Sequence, residues 1–453
     1  MKSLDVAVLG GGTAGFMAAA HLTRRFPDFR LHHIYDTRIP AIGVGEGTTP
    51  PFARWLHETT GVSFPDLQIA CDLTRKRGIR FEDWGTEAPV FVHYFAPTRE
   101  GQAYHISAAR ITGFLKRYVT ATTLDHRVTS IESRDSSARI VFEDGSDLVA
   151  DLVFDARGFP PEVRRPQAAG RDAAGMEVAR DAAGTSILKL AGIPTNAALV
   201  GRSSWVSPLT ATRAVARPHG WIFVIPLTTS TSYGYVHNDT LSTPDEIETD
   251  LAAFLTRERV EIGTPRLITF PNFCRRAFFD GVVFTIGNAA SFLEPLEATG
   301  LTILLVQLRL ASYWILDEIL GISGTGRSEA CLSTINEHML DFVREAGLFV
   351  SWHYACGSPF RTPFWTYARE CFERDLARTD ERIRTAFLDF VRAGARAPRD
   401  IAFMDEDGDQ DRLADQLPVS TTSFGGFLDL SFAKVGHGLG YFQEEYTGVP
   451  AGE

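Results

Sequence analysis

Lys76 stands in a chain that uses arginine almost everywhere else it needs a cation. Only Lys2, Lys76, Lys116, Lys189 and Lys434 are lysines among 45 basic residues. A guanidinium stays protonated, whereas a buried lysine amine can shed its proton and act as a nucleophile or proton donor. Read locally, Arg75-Lys76-Arg77-Gly78 is also a helix end, with cations on the negative dipole end and a glycine at the left-handed cap. Glu297 lies where Pro295 turns the chain into an apolar helix from about Leu301. Its carboxylate there is either a general base or a dipole partner of the helix start. The amides of Thr299 and Gly300 open from the same terminus, where unpaired N–H groups attract an anion.

These groups need a scaffold, and the first 25 residues supply its signature. Val6-Ala7-Val8-Leu9 is a short apolar strand running into Gly10-Gly11-Gly12-Thr13-Ala14-Gly15, and a helical stretch follows from Phe16 to Arg25. Gly10 makes the turn, Gly12 lets a pyrophosphate approach the backbone, and Gly15 permits close helix packing, with Thr13 and Ala14 between them. The phosphates would sit on the helix start. The acidic residue expected on the ribose about 20 residues on is assigned to Asp36, at the end of the strand Leu31-His32-His33-Ile34. The run Gly43-Val44-Gly45-Glu46-Gly47 is too glycine-rich for a core strand and reads either as a second loop near the cofactor or as a plain surface loop.

Composition removes several function classes. The 453 residues are 44% hydrophobic and 22% charged, as in an ordinary globular chain, and the net charge of −11 argues against nucleic acid or an anionic membrane as partner. Five cysteines without CxxC spacing indicate neither a zinc site nor a disulfide scaffold, so reduced cytoplasmic thiols and no metal are expected. The apolar stretch Leu301 to Leu316 carries Gln307 and Arg309 and reads as a buried helix.

Ile39-Pro40-Ala41-Ile42-Gly43-Val44-Gly45-Glu46, taken with the glycine turn, resembles the flavin-dependent halogenases of the tryptophan halogenase family. Lys76-Arg77-Gly78-Ile79-Arg80-Phe81-Glu82-Asp83-Trp84 is similar to the segment holding that family's catalytic lysine, and Phe91-Val92-His93-Tyr94-Phe95 to one lining its substrate pocket. Asp155-Ala156-Arg157-Gly158-Phe159 resembles the family's Asp-Ala-Thr-Gly-Phe strand end beside the flavin. The longest likeness is Ile286-Gly287-Asn288 through Leu293-Glu294-Pro295-Leu296-Glu297-Ala298-Thr299-Gly300-Leu301. His353-Tyr354, Phe364-Trp365 and Val435 to Gly440 are fainter echoes. The chain departs from the family's Trp-x-Trp-x-Ile-Pro signature at Phe223, between Trp221 and Ile225-Pro226, and has Asn288 where the family's pair is Gly-Asp.

The resemblance implies an α/β architecture, an FAD-binding Rossmann-like flavin monooxygenase fold with an interleaved substrate lobe. Residues 1–320 would form the FAD module, with a sheet-rich lobe inserted at about 85–270, and 321–453 a mostly helical region packing on that lobe. It implies that reduced FAD, from a separate reductase reached by diffusion, reacts with oxygen and with chloride or bromide to give hypohalous acid, which travels to Lys76. Glu297 would take the ring proton or orient the electrophile. Thr299 and Gly300 would hold halide, Gly287, Asn288 and Leu296 flavin, and His93, Phe95, Trp221 and Phe223 a small aromatic substrate such as an indole. A homodimer is compatible with this reading. The changed signature leaves open a flavin monooxygenase that hydroxylates, and a catalytically silent flavin-binding protein is the third reading.

Overall fold

Asp5–Leu9 lies at the centre of a five-stranded parallel sheet whose order is Val283–Thr285, Leu152–Asp155, Asp5–Leu9, Arg30–Ile34, Thr122–Leu124. Val6 to Leu9 are buried on both faces, which is why the strand reads as one apolar run without alternation. The computed structural model describes residues 3–39, 45–95, 103–164, 170–171, 177–180, 186–319, 329–402 and 423–442, so Gly43 and Val44 lie outside the described residues. Strands from three distant parts of the chain build this one sheet. The sheet therefore takes Thr122–Leu124 and Leu152–Asp155 from within the stretch that otherwise supplies the second lobe.

That second lobe is a seven-stranded sheet ordered Arg266–Thr269, Ala197–Ser203, Thr231–His237, Gly220–Pro226, Ala211–Arg217, Gly78–Glu82, Val90–Tyr94. Its pairs are antiparallel except Gly78–Glu82 with Ala211–Arg217. The register aligns Val200, Gly234, Phe223, Ala214, Phe81 and Phe91 in one row on one face. Glycine and alanine leave the gaps that aromatic rings fill: a Cβ on Gly234 would lie 2.1 Å from the Phe223 ring. Strand periodicity puts Trp221 and His93 on the same face, two residues along from Phe223 and Phe91.

A three-stranded sheet, Gly45–Gly47, Ala103–Ser107 and Thr74–Lys76, carries Lys76. Arg75-Lys76-Arg77-Gly78 is not the helix end that its local sequence suggests. The helix Phe64–Cys71 closes earlier, at Asp72 in the left-handed conformation (φ 52°), and Lys76 ends an extended strand paired with Ala103. Extended geometry points alternate side chains to opposite sides, so Arg75 stays at the surface while Lys76 turns inward.

Among the described residues that follow, the α-helices are Glu329–Trp352, Pro363–Arg378, Glu381–Ala395 and Asp429–Leu439. Asp429–Leu439 packs on Val90–Tyr94, and it comes close because Gly438 has no Cβ: one there would lie 2.2 Å from the Phe91 ring. The stretch Thr299–Asp317 is long and apolar enough to cross a membrane by length and composition. Its helix, Thr299–Trp314, packs against Thr13–Arg25, Pro50–Thr60 and Glu329–Trp352.

The glycine turn yields a test. A Cβ on Gly15 would fall 1.9 Å from the Gly10 carbonyl oxygen, whereas one on Gly12 meets nothing within 4 Å. Gly15→Ala should cost about 1–3 kcal/mol in urea unfolding, and Gly12→Ala no more than about 0.5 kcal/mol. Equal costs for the two would contradict the assigned roles.

Candidate active site

The carboxyl ends of Asp5–Leu9, Leu152–Asp155 and Val283–Thr285 form a crevice lined by glycine. Gly10 has φ +121°, and a Cβ on it would lie 2.5 Å from the Ala156 carbonyl oxygen. Thr13 opens the helix, and Ala14 packs so closely on Gly287 (φ +57°) that a Cβ there would be 2.7 Å from its methyl. Gly287 N–H donates to Gln307 Oε1 at 2.8 Å, while Gln307 Nε2 is buried without a hydrogen-bond partner. Open space over Gly12 and an orphaned buried amide suit a dinucleotide laid across the strand ends. Asn288 is exposed beside the crevice, Leu296 is buried, and burial pushes the Glu46 carboxyl up to about 7. Asp36 accepts the Arg38 guanidinium at 2.8 Å, and Tyr35, one residue earlier, lays its ring over Gly11.

Lys76 is 1% exposed, and its Nζ donates to the Thr48 carbonyl at 3.0 Å. Around it lie Gly47, whose missing Cβ leaves room for the amine, and the Phe95 ring, 5.1 Å from Nζ to centroid. His105 is buried nearby, hydrogen-bonded to the hydroxyls of Thr74 and Thr212. Burial holds it well below its ordinary value, with Lys76 adding to the effect. Burial likewise pushes the Lys76 ammonium down to about 7, against the opposing pull of Glu297. An amine in this setting is substantially uncharged at neutral pH.

Glu297 is equally buried and is treated in the opposite way. Burial alone would raise its carboxyl, yet the imidazoles of His93 and His353 hold it down at about 2. His93 Nδ1 lies 3.0 Å from both carboxylate oxygens, and His353 Nε2 lies 2.8 Å from Oε1. His353 Nδ1 is also 3.0 Å from the Phe349 carbonyl. A carbonyl only accepts, so His353 Nδ1 donates to it, and Nε2 is the nitrogen that faces the Glu297 carboxylate.

After Glu297, Ala298 takes a left-handed turn (φ 56°) and the helix Thr299–Trp314 begins with no side-chain cap; the Thr299 hydroxyl is buried and without a partner. An open helix start with an unpaired hydroxyl fits a small anion at Thr299 and Gly300. Trp221 and Phe223 are buried on the sheet face that also bears His93. Trp221 packs edge-on against Trp84, and a cavity of about 240 Å³ opens beside Phe223, lined also by Val200, Gly201, Arg202, Ser232, Tyr233 and Arg266.

Sequence reasoning did not foresee His353 as a carboxylate partner, nor His105, Thr212 or Gln307 around the site. The repeat Glu294-x-x-Glu297 ahead of an apolar helix was the available signal for a second buried carboxylate. Glu294 accepts from the Tyr354 hydroxyl at 2.6 Å and from Thr195 Oγ1. With hydroxyl donors in place of imidazoles, burial pushes it up to about 7.

Removing one member of a buried pair should be expensive. His353→Phe is expected to cost about 3 kcal/mol in urea unfolding because it leaves Glu297 under-compensated, and Glu297→Gln added to it should recover part of that loss. A cost below about 1 kcal/mol, or additive losses, would contradict the pairing.

The description "Tryptophan halogenase" belongs to the family model that matches residues 5–102 and 98–397 of this chain. The tryptophan 6-halogenase ThaL of Streptomyces albogriseolus is 22% identical over 438 residues, spanning 81% of this chain and 78% of that protein. The 3-amino-4-hydroxybenzoate 2-monooxygenase of Streptomyces cremeus is 30% identical over 170 residues, covering 36% of this chain and 42% of its own. Among solved structures, Xcc4156, a flavin-dependent halogenase from Xanthomonas campestris, superposes with a TM-score of 0.74 at 20% identity, over 97% of this chain and 89% of that one. With the family model covering most of its length, the chain belongs to the tryptophan halogenase family.

Proposed function

We propose that this protein halogenates an electron-rich aromatic such as an indole, using chloride or bromide, with Lys76 receiving the oxidised halogen. The observation that carries this reading is a fully buried amine held down at about 7 within the field of a buried carboxylate held at about 2. Glycines 10, 12 and 15, Thr13, Ala14, Asp36, Gly43 to Glu46, Gly287, Asn288 and Leu296 would hold FAD. Bound FAD, once reduced, supplies with oxygen the oxidising power that turns halide into hypohalous acid.

The protein's own groups then handle delivery and protons. Thr299 and Gly300 hold halide at the open helix start. The uncharged Lys76 amine binds the hypohalous acid through its N–H groups and lone pair, in a pocket too dry for water to consume it. The aromatic ring, held by His93, Phe95, Trp221 and Phe223, takes the halogen: a carbon–halogen bond forms, the oxygen–halogen bond breaks, and the oxygen is released as hydroxide. The displaced ring proton goes to Glu297, which passes it to the hydroxide to give water. Reduced FAD would come by diffusion from a separate reductase, in the cytoplasm. Hydroxylation, the reading that the changed signature at Phe223 leaves open, is not favoured beside the halogenase relatives.

Incubation with reduced FAD, oxygen and chloride or bromide over an indole panel, followed by mass spectrometry, separates the two as halogen gain or oxygen gain. Lys76→Ala should abolish halogen gain while leaving flavin oxidation intact, and retained halogenation would refute the role of Lys76. Because the amine is the active form and Lys76 is held at about 7, the wild-type halogenation rate should climb through neutral pH and fall roughly tenfold per unit well below it. Lys76→Arg, always charged, should be inactive across that range.

A further inference from the structure

Both strands beside Asp5–Leu9 end in Asp-x-Arg, Asp36-Thr37-Arg38 after Arg30–Ile34 and Asp155-Ala156-Arg157 at the end of Leu152–Asp155. The two form matching clamps. Arg38 gives its backbone N–H, Nε and Nη2 to Asp36 at 2.9, 2.8 and 2.8 Å. Arg157 gives the same three groups to Asp155 at 3.2, 2.8 and 2.9 Å. They differ in what else they touch. Arg38 Nη2 also reaches Glu143 at 2.9 Å, whereas Arg157 has Asp155 as its only ion-pair partner among the described residues and is 37% exposed.

The strand order gives the second clamp its meaning. Leu152–Asp155 lies between Asp5–Leu9, which ends in the glycine turn, and Val283–Thr285, which leads to Gly287 and Asn288. The Arg157 backbone nitrogen is 3.4 Å from where a Cβ on Gly10 would stand. A dinucleotide reaching from Gly12 to Asn288 has to cross this strand end, and its diphosphate is the anionic part. A guanidinium can hold a carboxylate through Nε and one Nη2 hydrogen and still offer its remaining donors to a phosphate. Asp155 thus fixes the side chain without consuming it. The family segment that this stretch resembles has threonine at this position, so the arginine adds a positive charge where the crevice would carry phosphate.

We infer that Arg157, oriented by Asp155, is a counter-ion for the diphosphate of the bound dinucleotide and sets how tightly this chain grips it. The inference rests on the FAD-binding reading of the crevice. It is tested with the full chain by fluorescence titration with FAD, ADP and riboflavin for wild type, Arg157→Thr and Arg157→Lys. Arg157→Thr should weaken FAD and ADP about 10- to 100-fold, the size of a charged hydrogen bond, and leave riboflavin unchanged. Arg157→Lys should fall between, and the salt dependence of FAD binding should flatten in Arg157→Thr. Unchanged FAD affinity in Arg157→Thr, or an equal loss for riboflavin, would overturn the inference. Wild-type protein that binds no FAD would instead strike the flavin reading itself, so the two failures are distinguishable.

Discussion

The desolvation of one amine organises this molecule. Taking Lys76 from water into a 1%-exposed site moves its ammonium from 10.5 to about 7, which amounts to about 5 kcal/mol against the charged form. That cost is fully present below pH 7 and falls away as the pH rises toward 10.5, because the unfolded chain keeps its proton over this range. The surrounding structure keeps the cost in place. The strand Thr74–Lys76 turns the side chain inward, Gly47 leaves it room, the Thr48 carbonyl takes one hydrogen bond, and His105 is held neutral beside it. Glu297 opposes, with a charge that pulls the amine back toward its ammonium form.

The carboxylates show the same physics sorted by neighbour. Glu294 and Glu297 are three residues apart and both buried, yet one is pushed up to about 7 and the other held at about 2. Hydroxyl donors from Thr195 and Tyr354 do not repay the burial of a negative charge, whereas two imidazoles do. Glu294 ties the Thr195 hydroxyl to the Tyr354 hydroxyl, linking the sheet-rich lobe to the helical region. Glu297 is left as the ionised group, and its partner His353 sits just beyond the helix Glu329–Trp352, far along the chain. The helical region, through His353, therefore joins the sheet's His93 in setting the charge state of a residue just ahead of the helix Thr299–Trp314.

Much of this was legible in the sequence where chemistry demands a local pattern. The glycine turn could be read residue by residue because each glycine answers a different steric need within six positions. Lys76 and Glu297 could be singled out because a rare lysine and a carboxylate before an apolar helix are unusual locally, and the resemblance joined them. What escaped was long-range. The Arg75-Lys76-Arg77-Gly78 string satisfies a helix end as well as a strand, and only pairing with Ala103–Ser107 decides between them. His93 and His353 look like isolated core histidines until the fold brings both onto one carboxylate. Asp36 is named from its spacing alone, and its engagement by Arg38, like the ring of Tyr35 over Gly11, depends on side-chain directions that no spacing rule carries.

The central claim is that the fold holds the Lys76 amine close to its uncharged form, and it can be measured without any turnover. With only five lysines in the chain, side-chain 15N labelling gives few resonances, and Lys76→Arg assigns the one of interest. The account predicts that this amine titrates near 7 and moves lower still in Glu297→Gln, since Glu297 is the group pulling it upward. An amine that titrates at its ordinary value near 10.5, unmoved by Glu297→Gln, would contradict it.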